Sequence, residues 1–158
     1  IVNTARQVNA AMIVMVTYAR VGLARWMLGS TADEVIQMAD RPVLLVKAGT
    51  EIAEECFSNI ILPVDGSPTS EKALPAAIEL SHLLHAPVNV VRAVPPAVVT
   101  MSTGSIVVMC THGHSGLKRA VLGSVTHQVI RRSGRPVLII PPHAMSTAEG
   151  VHEAAAVA

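Results

Sequence analysis

The chain has 158 residues, of which 51% are hydrophobic and 15% are charged. This length fits one domain or two small ones, and the apolar content is sufficient for a sizeable core. The net charge is only +1, and the aromatic residues are one Trp, one Tyr and one Phe. Nucleic-acid partners are therefore not expected, because their binding surfaces need a basic patch or aromatic side chains for base stacking.

Membrane and secreted classes are also disfavoured. The longest apolar stretches, such as Ala10–Val16 and Ile106–Cys110, fall well short of the roughly 20 residues that cross a bilayer. No basic-then-apolar signal segment opens the sequence. The two cysteines, Cys56 and Cys110, do not form a disulfide-like framework. We therefore expect no membrane partner and a cytoplasmic location.

An internal repeat divides the sequence. A shift of 94 positions aligns Val14–Val46 with Val108–Ile140 without a gap, and 15 of these 33 pairs are identical. Repeats at a fixed offset indicate a duplicated structural unit. The chain is therefore predicted to contain two copies of one unit.

The first copy predicts a strand, a loop, a helix and a second strand. Ile13–Val16 is a short β-branched run of the kind that is buried in parallel sheets. Ser30 is a suitable N-cap for the helix that follows. Pro42 then precedes the predicted strand Val43–Val46.

The segment between the copies predicts a further strand and helix. Asn59–Val64 is an apolar run typical of a buried strand, and either Ser67 or Ser70 can cap the next helix. Pro75 is tolerable near a first turn but would kink a helix that began at Pro68.

The remainder of the chain continues the alternation of strands and helices. Pro87 ends the helical segment, and Val88–Val94 predicts a strand. The second copy then gives the strand Ile106–Cys110, a helix capped by Ser124 and the strand Val137–Ile140. This alternation is typical of an α/β fold with an open, mainly parallel doubly wound sheet and helices on both faces.

One connection is shorter than this fold requires. Only 11 residues separate Val94 from Ile106, whereas a parallel crossover needs about a dozen and normally contains a helix. The first copy also lacks a counterpart of residues 57–94. Either segments of the natural protein are missing, or the two halves complement one another in one compact sheet.

A ligand site is expected beyond the carboxyl ends of the strands. Asp65 lies at one such end, where it could accept a hydrogen bond from a ribose hydroxyl or an adenine amino group. The Gly123-Ser124 step lies at a helix N-terminus, which favours phosphate. The alternative is that Asp65 and Ser67 only form a turn and a cap, and that the glycines only allow tight turns.

Two stretches resemble the universal stress protein family. Asn-Ile-Ile-Leu-Pro-Val-Asp-Gly-Ser (59–67) with Ser-Glu-Lys-Ala-Leu (70–74) resembles the opening of such a domain, and 109–126 with 135–140 resembles its end. The resemblance implies two tandem copies of a Rossmann-like domain of the adenine nucleotide α-hydrolase type. The implied organisation is a degenerate closing half (1–49), a linker (50–56), a second domain without its middle segment (57–142) and a flexible tail (143–158).

The resemblance also implies an adenine nucleotide ligand, either ATP, with which Mg²⁺ is possible, or cyclic AMP. The ATP-binding members carry Gly, two residues, Gly, nine residues, Gly, and then Ser or Thr. Here those four places hold Cys110, Gly113, Gly123 and Ser124, so the first glycine is replaced. Carried over by position, the base and ribose would face Pro63, Asp65 and Ala93, and the phosphates would contact Gly113, Gly123, Ser124 and Val125.

The first copy departs further from the pattern. Its corresponding places are Val16, Ala19, Gly29 and Ser30, and two side chains would crowd the space that a triphosphate needs. We expect this copy not to bind nucleotide. No catalytic residue is identified, and His112-x-His114 has no third metal ligand at a useful spacing.

The resemblance implies a stress-response sensor or regulator. The alternatives are an interaction module that acts by dimerisation without a nucleotide, and a slow ATP hydrolase. In this family the final strands pair between domains, and unpaired apolar strand edges associate readily. Val43–Val46 and Val137–Ile140 are therefore expected to pair the two copies as a pseudo-symmetric dimer, with further association into a homo-oligomer.

Overall fold

A computed structural model describes residues 1–17, 28–49, 57–92, 104–110 and 124–141. The described helices are α1 (Val2–Gln7), α2 (Ser30–Met38), α3 (Pro68–Glu71), α4 (Leu74–Leu84) and α5 (Ser124–Arg132). The described strands are β1 (Ile13–Thr17), β2 (Val43–Lys47), β3 (Asn59–Val64), β4 (Val88–Arg92), β5 (Ser105–Cys110) and β6 (Val137–Ile140). None of the described helices has the length and apolar character needed to span a membrane.

The six strands form one mixed sheet in the order β1-β2-β6-β5-β3-β4. Every neighbouring pair is parallel except β2 and β6, which are antiparallel. The predicted α/β class with a mainly parallel sheet is therefore confirmed. The predicted strand bounds agree with the structure to within one residue or, for the strand that begins at Val88, two.

The repeat in the sequence is matched by a repeat of local geometry. α2 and α5 cover residues 30–38 and 124–132, which differ by the same offset of 94. β1 pairs with β2 so that Ile13 lies opposite Val43, and β5 pairs with β6 so that Val107 lies opposite Val137. These two registers are also related by 94 positions. The interpretation as two tandem domains stays a prediction.

The antiparallel junction is symmetric about a single pair of leucines. Leu44 lies opposite Leu138, and these two residues are equivalent in the repeat. A local twofold axis perpendicular to the sheet therefore passes between them. A rotation about such an axis does not exchange the two faces of the sheet. Equivalent residues of the two units therefore point to the same face.

Alternating side chains along the central strands give the sheet two cores. On one face, Val107 and Ile139 pack with residues of α1, α2 and α5. On the other face, Val108 and Leu138 pack with Ala77 and its neighbours in α4. The helices therefore lie on both faces, as predicted. Burial on both faces explains why the central strands are uninterrupted apolar runs.

The helix caps agree only in part with the sequence. Ser67 caps α3, where its hydroxyl accepts the N–H of Ser70 at 3.1 Å. The cap predicted at Ser30 was wrong, since Ser30 is the first residue of α2. The cap predicted at Ser124 stays a prediction, because the residues before Ser124 lie outside the described part of the chain. The N-cap of α2 is Gly29, which already has extended backbone angles and has no side chain that could cap. α2 thus begins one residue earlier than it would if Ser30 were its N-cap.

Pro75 separates two helices. α3 ends at Glu71 and α4 begins at Leu74, so Pro75 lies in the first turn of α4. A proline is well tolerated there because the first N–H groups of a helix have no intrahelical acceptor. A kink was expected only if one helix began at Pro68, and the structure has a boundary between two helices there. α4 ends at Leu84, and its C-cap His85 has a left-handed φ of 51°, just before Pro87.

The two units differ in how one face of the sheet is covered. Val14 and Val16 on β1 are 60% and 52% exposed, whereas their equivalents Val108 and Cys110 are 0% and 7% exposed. α4 packs over the second pair, and no described helix covers the first pair. Residues at equivalent positions of the repeat are therefore exposed in the first unit and buried in the second.

This difference predicts unequal effects of the same substitution. Val108→Ala should lower the free energy of unfolding by about 1.5 to 3 kcal/mol, because it leaves a cavity in a packed core. Val14→Ala should change it by less than about 0.5 kcal/mol. Urea unfolding of both variants measures the two values, and equal losses would contradict the burial described above.

Candidate functional site

The candidate site lies where the direction of strand addition reverses. β3 is followed in the chain by β4 on one side of the sheet, whereas β5 is followed by β6 on the other side. The carboxyl ends of β3 and β5 are therefore the two sides of a topological switch point, which is where ligands bind in open α/β sheets. Asp65 and Cys110 stand at these two ends.

Asp65 forms the turn that leads from β3 to α3. Its Oδ1 accepts the backbone N–H of Ser67 at 2.9 Å, and Gly66 has a φ of +83°, a conformation that favours glycine. Ser67 is 2% exposed and caps α3. The structure thus shows the turn-and-cap role, and it also places the exposed Asp65 carboxylate at the tip of the strand.

Pro63 lies in the last part of β3, opposite Val91 of β4. Its neighbours Leu62 and Val64 pack towards α4. Because side chains alternate along a strand, the half-buried Pro63 ring faces the opposite side, which is the side that α5 covers. Pro63 and the N-terminus of α5 therefore share one face of the sheet.

Cys110 replaces the first glycine of the family pattern, and its side chain points into the core. It is 7% exposed and belongs to the cluster beneath α4, together with Leu62 and Ala73. Burial raises the pKa of the thiol to about 11, although the charge of Lys72 opposes this shift. The substituted side chain therefore lies on the face opposite to Pro63.

The first turn of α5 is suited to an anion. Ser124 is its first residue and Val125 is 48% exposed. This turn contains no acidic residue, and Arg131 and Arg132 lie in the last turn, where cations are favoured by the helix dipole. Free N–H groups at the N-terminus of a helix favour phosphate.

The equivalent turn of α2 is less suited to an anion. It carries Asp33, whose Oδ2 accepts a hydrogen bond from Gln37 at 3.1 Å. The position equivalent to Asp33 in α5 is His127. The acid would repel phosphate, so the two helices differ at the end where a phosphate would bind.

Several predicted positions lie outside the described residues. They are Ala93, Gly113 and Gly123, together with Ala19, His112 and His114. Their roles stay predictions. Within the described residues, no three His, Cys, Asp or Glu side chains are grouped so that they could hold a metal ion.

Two features of the site were not recognised from the sequence. The first is the inward direction of Cys110, which the alternation Ile106, Val108, Cys110 in a strand would have indicated. The second is the contrast between Asp33 and His127, which the repeat alignment already contained. Both signals are local and need no alignment of relatives.

The burial of Cys110 predicts an unreactive thiol. In a Cys56→Ser background, Cys110 should react with a thiol reagent at pH 8 only after urea unfolds the protein. Since the folded state raises the pKa of the thiol, its neutral form stabilises the fold fully below about pH 9. This contribution is lost as pH rises towards about 11. Rapid labelling of the folded protein at pH 8 would contradict the assignment.

The comparisons with known proteins agree with the fold. The model of the universal stress protein family matches residues 1–47, 57–105 and 102–141. Universal stress protein MJ0577 of Methanocaldococcus jannaschii is 49% identical over 35 residues, which is 22% of each chain. A universal stress protein of Mycolicibacterium smegmatis is 24% identical over an alignment of 185 positions, which covers 85% of this chain and 63% of the relative. The chain thus spans less than two thirds of the length of these two curated relatives.

Solved structures show the same architecture. A universal stress protein from Archaeoglobus fulgidus superposes with a TM-score of 0.64 at 16% identity, covering 89% of this chain and 65% of the other. The protein PA1789 from Pseudomonas aeruginosa superposes with a TM-score of 0.65 at 14% identity, covering 99% and 71%. At these identities the likeness concerns the fold alone. The family model, however, matches well over half of the chain, which therefore belongs to the universal stress protein family.

Proposed function

We propose that this protein binds an adenine nucleotide, ATP or cyclic AMP, and acts as a cytoplasmic sensor or regulator in a stress response. The observation that carries the proposal is the position of Asp65 at the switch point of the sheet, together with the acid-free first turn of α5, the helix between β5 and β6 in the chain. Mg²⁺ would accompany ATP. In this proposal the base and ribose lie at the ends of β3 and β4, and the phosphates lie at α5.

Two observations support the base end. Asp65 is exposed at the tip of β3, and its carboxylate is held in place by the hydrogen bond to the N–H of Ser67. A fixed acceptor beside an apolar strand end is the arrangement that small-molecule sites use for orientation. Cys110 supports the same reading, because its thiol fills the core beneath α4 and not the face of Pro63 and α5.

Charge supports the phosphate end and distinguishes the two units. The first turn of α5 lacks an acid, while the first turn of α2 carries Asp33. We propose accordingly that residues 1–49 form a non-binding copy and that 57–142 form the binding copy of a tandem protein. The antiparallel pairing of β2 and β6 supports a pseudo-dimer of the two copies.

One observation favours the alternative of an interaction module. Val14 and Val16 form an exposed apolar strip on β1, which is an edge strand of the sheet. Exposed apolar side chains on an edge strand favour association. Homo-oligomerisation through this edge is compatible with nucleotide binding at the switch point, because the two places lie on different parts of the sheet.

The phosphate end is tested by moving one charge. His127→Asp introduces into α5 the acid that α2 carries, and should weaken ATP binding about three- to tenfold by opposing the helix dipole. Asp33→His is the matched control in α2 and should leave the affinity unchanged. Isothermal titration calorimetry measures both. The absence of heat with ATP, ADP, AMP and cyclic AMP for the wild type would refute the proposed function.

A second test uses the paired glycines. Gly123→Val should abolish ATP binding, because a branched side chain would occupy space near the phosphates. Gly29→Val is the control at the equivalent place, where a Cβ atom would meet no heavy atom within 4 Å. Titration of both variants with ATP is expected to show loss in the first only. If Gly123→Val and the wild type bound ATP with equal affinity, the phosphates would have to bind elsewhere.

A further inference from the structure

A cleft lies along the seam between the two units, on the face of the sheet that carries α4. Met12 and Pro42 of the first unit line one side, Leu138 of the sheet lines its floor, and Glu79 and Leu83 of α4 line the other side. The volume of this seam cleft is about 40 Å³, whereas pockets for small-molecule ligands measure roughly 300 to 1,000 Å³. The seam cleft therefore has room for one side chain of a partner but not for a separate ligand.

Glu79 is the one polar residue among the described residues that line the seam cleft. Its Oε2 atom is buried and has no hydrogen-bond partner in the described part of the chain. A buried charged group without a partner is costly, and a cation within hydrogen-bond distance offsets that cost. A lysine side chain suits this place, because its apolar stem can lie along apolar walls while its ammonium group reaches the carboxylate.

The surface beside the seam cleft is apolar and exposed. Val14 and Val16 of β1 are 60% and 52% exposed, and Leu83 is 55% exposed. Val14 lies in one row across the sheet with Leu44 and Leu138, so this surface continues into the floor of the cleft. It covers β1 and β2, and two strands are about 10 Å wide, which is also the diameter of a helix. The surface thus has room for one helix.

The second unit shows which element packs on a surface of this kind. The repeat equivalents of Val14 and Val16 are Val108 and Cys110, and both are buried beneath α4. A helix placed over β1 by the local twofold axis would therefore cover the two exposed valines as α4 covers β5. Glu79 is on the side of α4 that faces this axis, so such a helix would present its own equivalent position to Glu79.

We propose that the seam cleft and the exposed face of β1 and β2 form a docking site for an amphipathic helix of a partner protein, anchored by one lysine at Glu79. A second copy of this chain is less suited, because its α4 would bring a second carboxylate to Glu79. Pairing of β1 edges between two copies would also leave this face uncovered. The seam cleft contains neither Asp65 nor a residue of α5, so the inference is independent of nucleotide binding.

A peptide taken from the chain itself tests the anchor. The probe has the sequence of residues 68–86 with Glu79→Lys, and the parent peptide is the like-charge control. Fluorescence anisotropy of the labelled peptides with the full chain should show at least about tenfold tighter binding of the lysine peptide, because only its charge complements that of Glu79 in the chain. With the Glu79→Gln chain this preference should fall below about threefold, since the charge pair is then removed from one side.

A matched pair of substitutions tests the exposed valines. Val14→Asp should abolish binding of the lysine peptide, because the new charge would be buried beneath the apolar side of the helix. Val90→Asp is the control and should leave binding unchanged. Val90 is 58% exposed and shares the α4 face with Val88, but it lies at the opposite edge of the sheet, on β4. Circular dichroism of both variants checks that they are folded.

Each other result decides against the inference. If neither peptide binds, the surface does not accept a helix. Equal binding of the two peptides would show that Glu79 is not the anchor. Loss of binding in Val90→Asp as well as in Val14→Asp would show that the peptide does not lie on β1 and β2. If the wild-type chain dimerises in sedimentation experiments and the dimer excludes the lysine peptide, a second copy occupies the face in place of a partner.

Discussion

The antiparallel ladder between β2 and β6 is the constraint on which the rest of the structure depends. It joins two units that are separate in sequence into one sheet, and it does so around the single pair Leu44 and Leu138. Without it, two apolar strands would each leave a row of backbone groups unpaired. The local twofold axis also determines that α2 and α5 cover the same face, and among the described helices it is α4 that packs on the opposite core. Coverage of the sheet is therefore unequal although the sequence is repeated.

The same arrangement explains why the candidate site occurs once. A switch point requires strands that extend in both directions from it, and among the described strands only β3 and β5 meet this condition with their carboxyl ends adjacent. β1 is the repeat equivalent of β5 but is an edge strand. The charges of the two units differ in the same sense. Asp33 lies in α2 of the first unit, in which no described strand corresponds to β3. Local sequence and global topology thus both favour the second unit for the proposed ligand.

Much of the fold could be predicted from the sequence. The strands were located to within one or two residues, because short β-branched runs bounded by Pro and Gly are a strong local signal. Pro75 was recognised as suited only to a first turn, but the division into α3 and α4 was not predicted. The cap at Ser30 was not predicted correctly, since a shift of one residue at a helix end costs little and depends on the backbone before it. At the site, Asp65 was located by its place at the end of a predicted strand. The inward direction of Cys110 depends on strand phase, which the glycine pattern of the family does not contain.

The junction of β2 with β6 also affects when the parts of the newly synthesised chain can fold. β2 ends at Lys47 and β6 ends at Ile140, so at roughly 5 to 20 residues per second the ribosome needs roughly 5 to 20 s after making β2 to complete its partner. During this interval Val43, Leu45 and the strand beside them have no second unit to close the sheet. Long-range pairing of this kind folds late, after the entropy of a large loop has been overcome. The unit that contains β2 is thus among the last parts of the described sheet to reach its final environment, although it precedes the other unit in the chain.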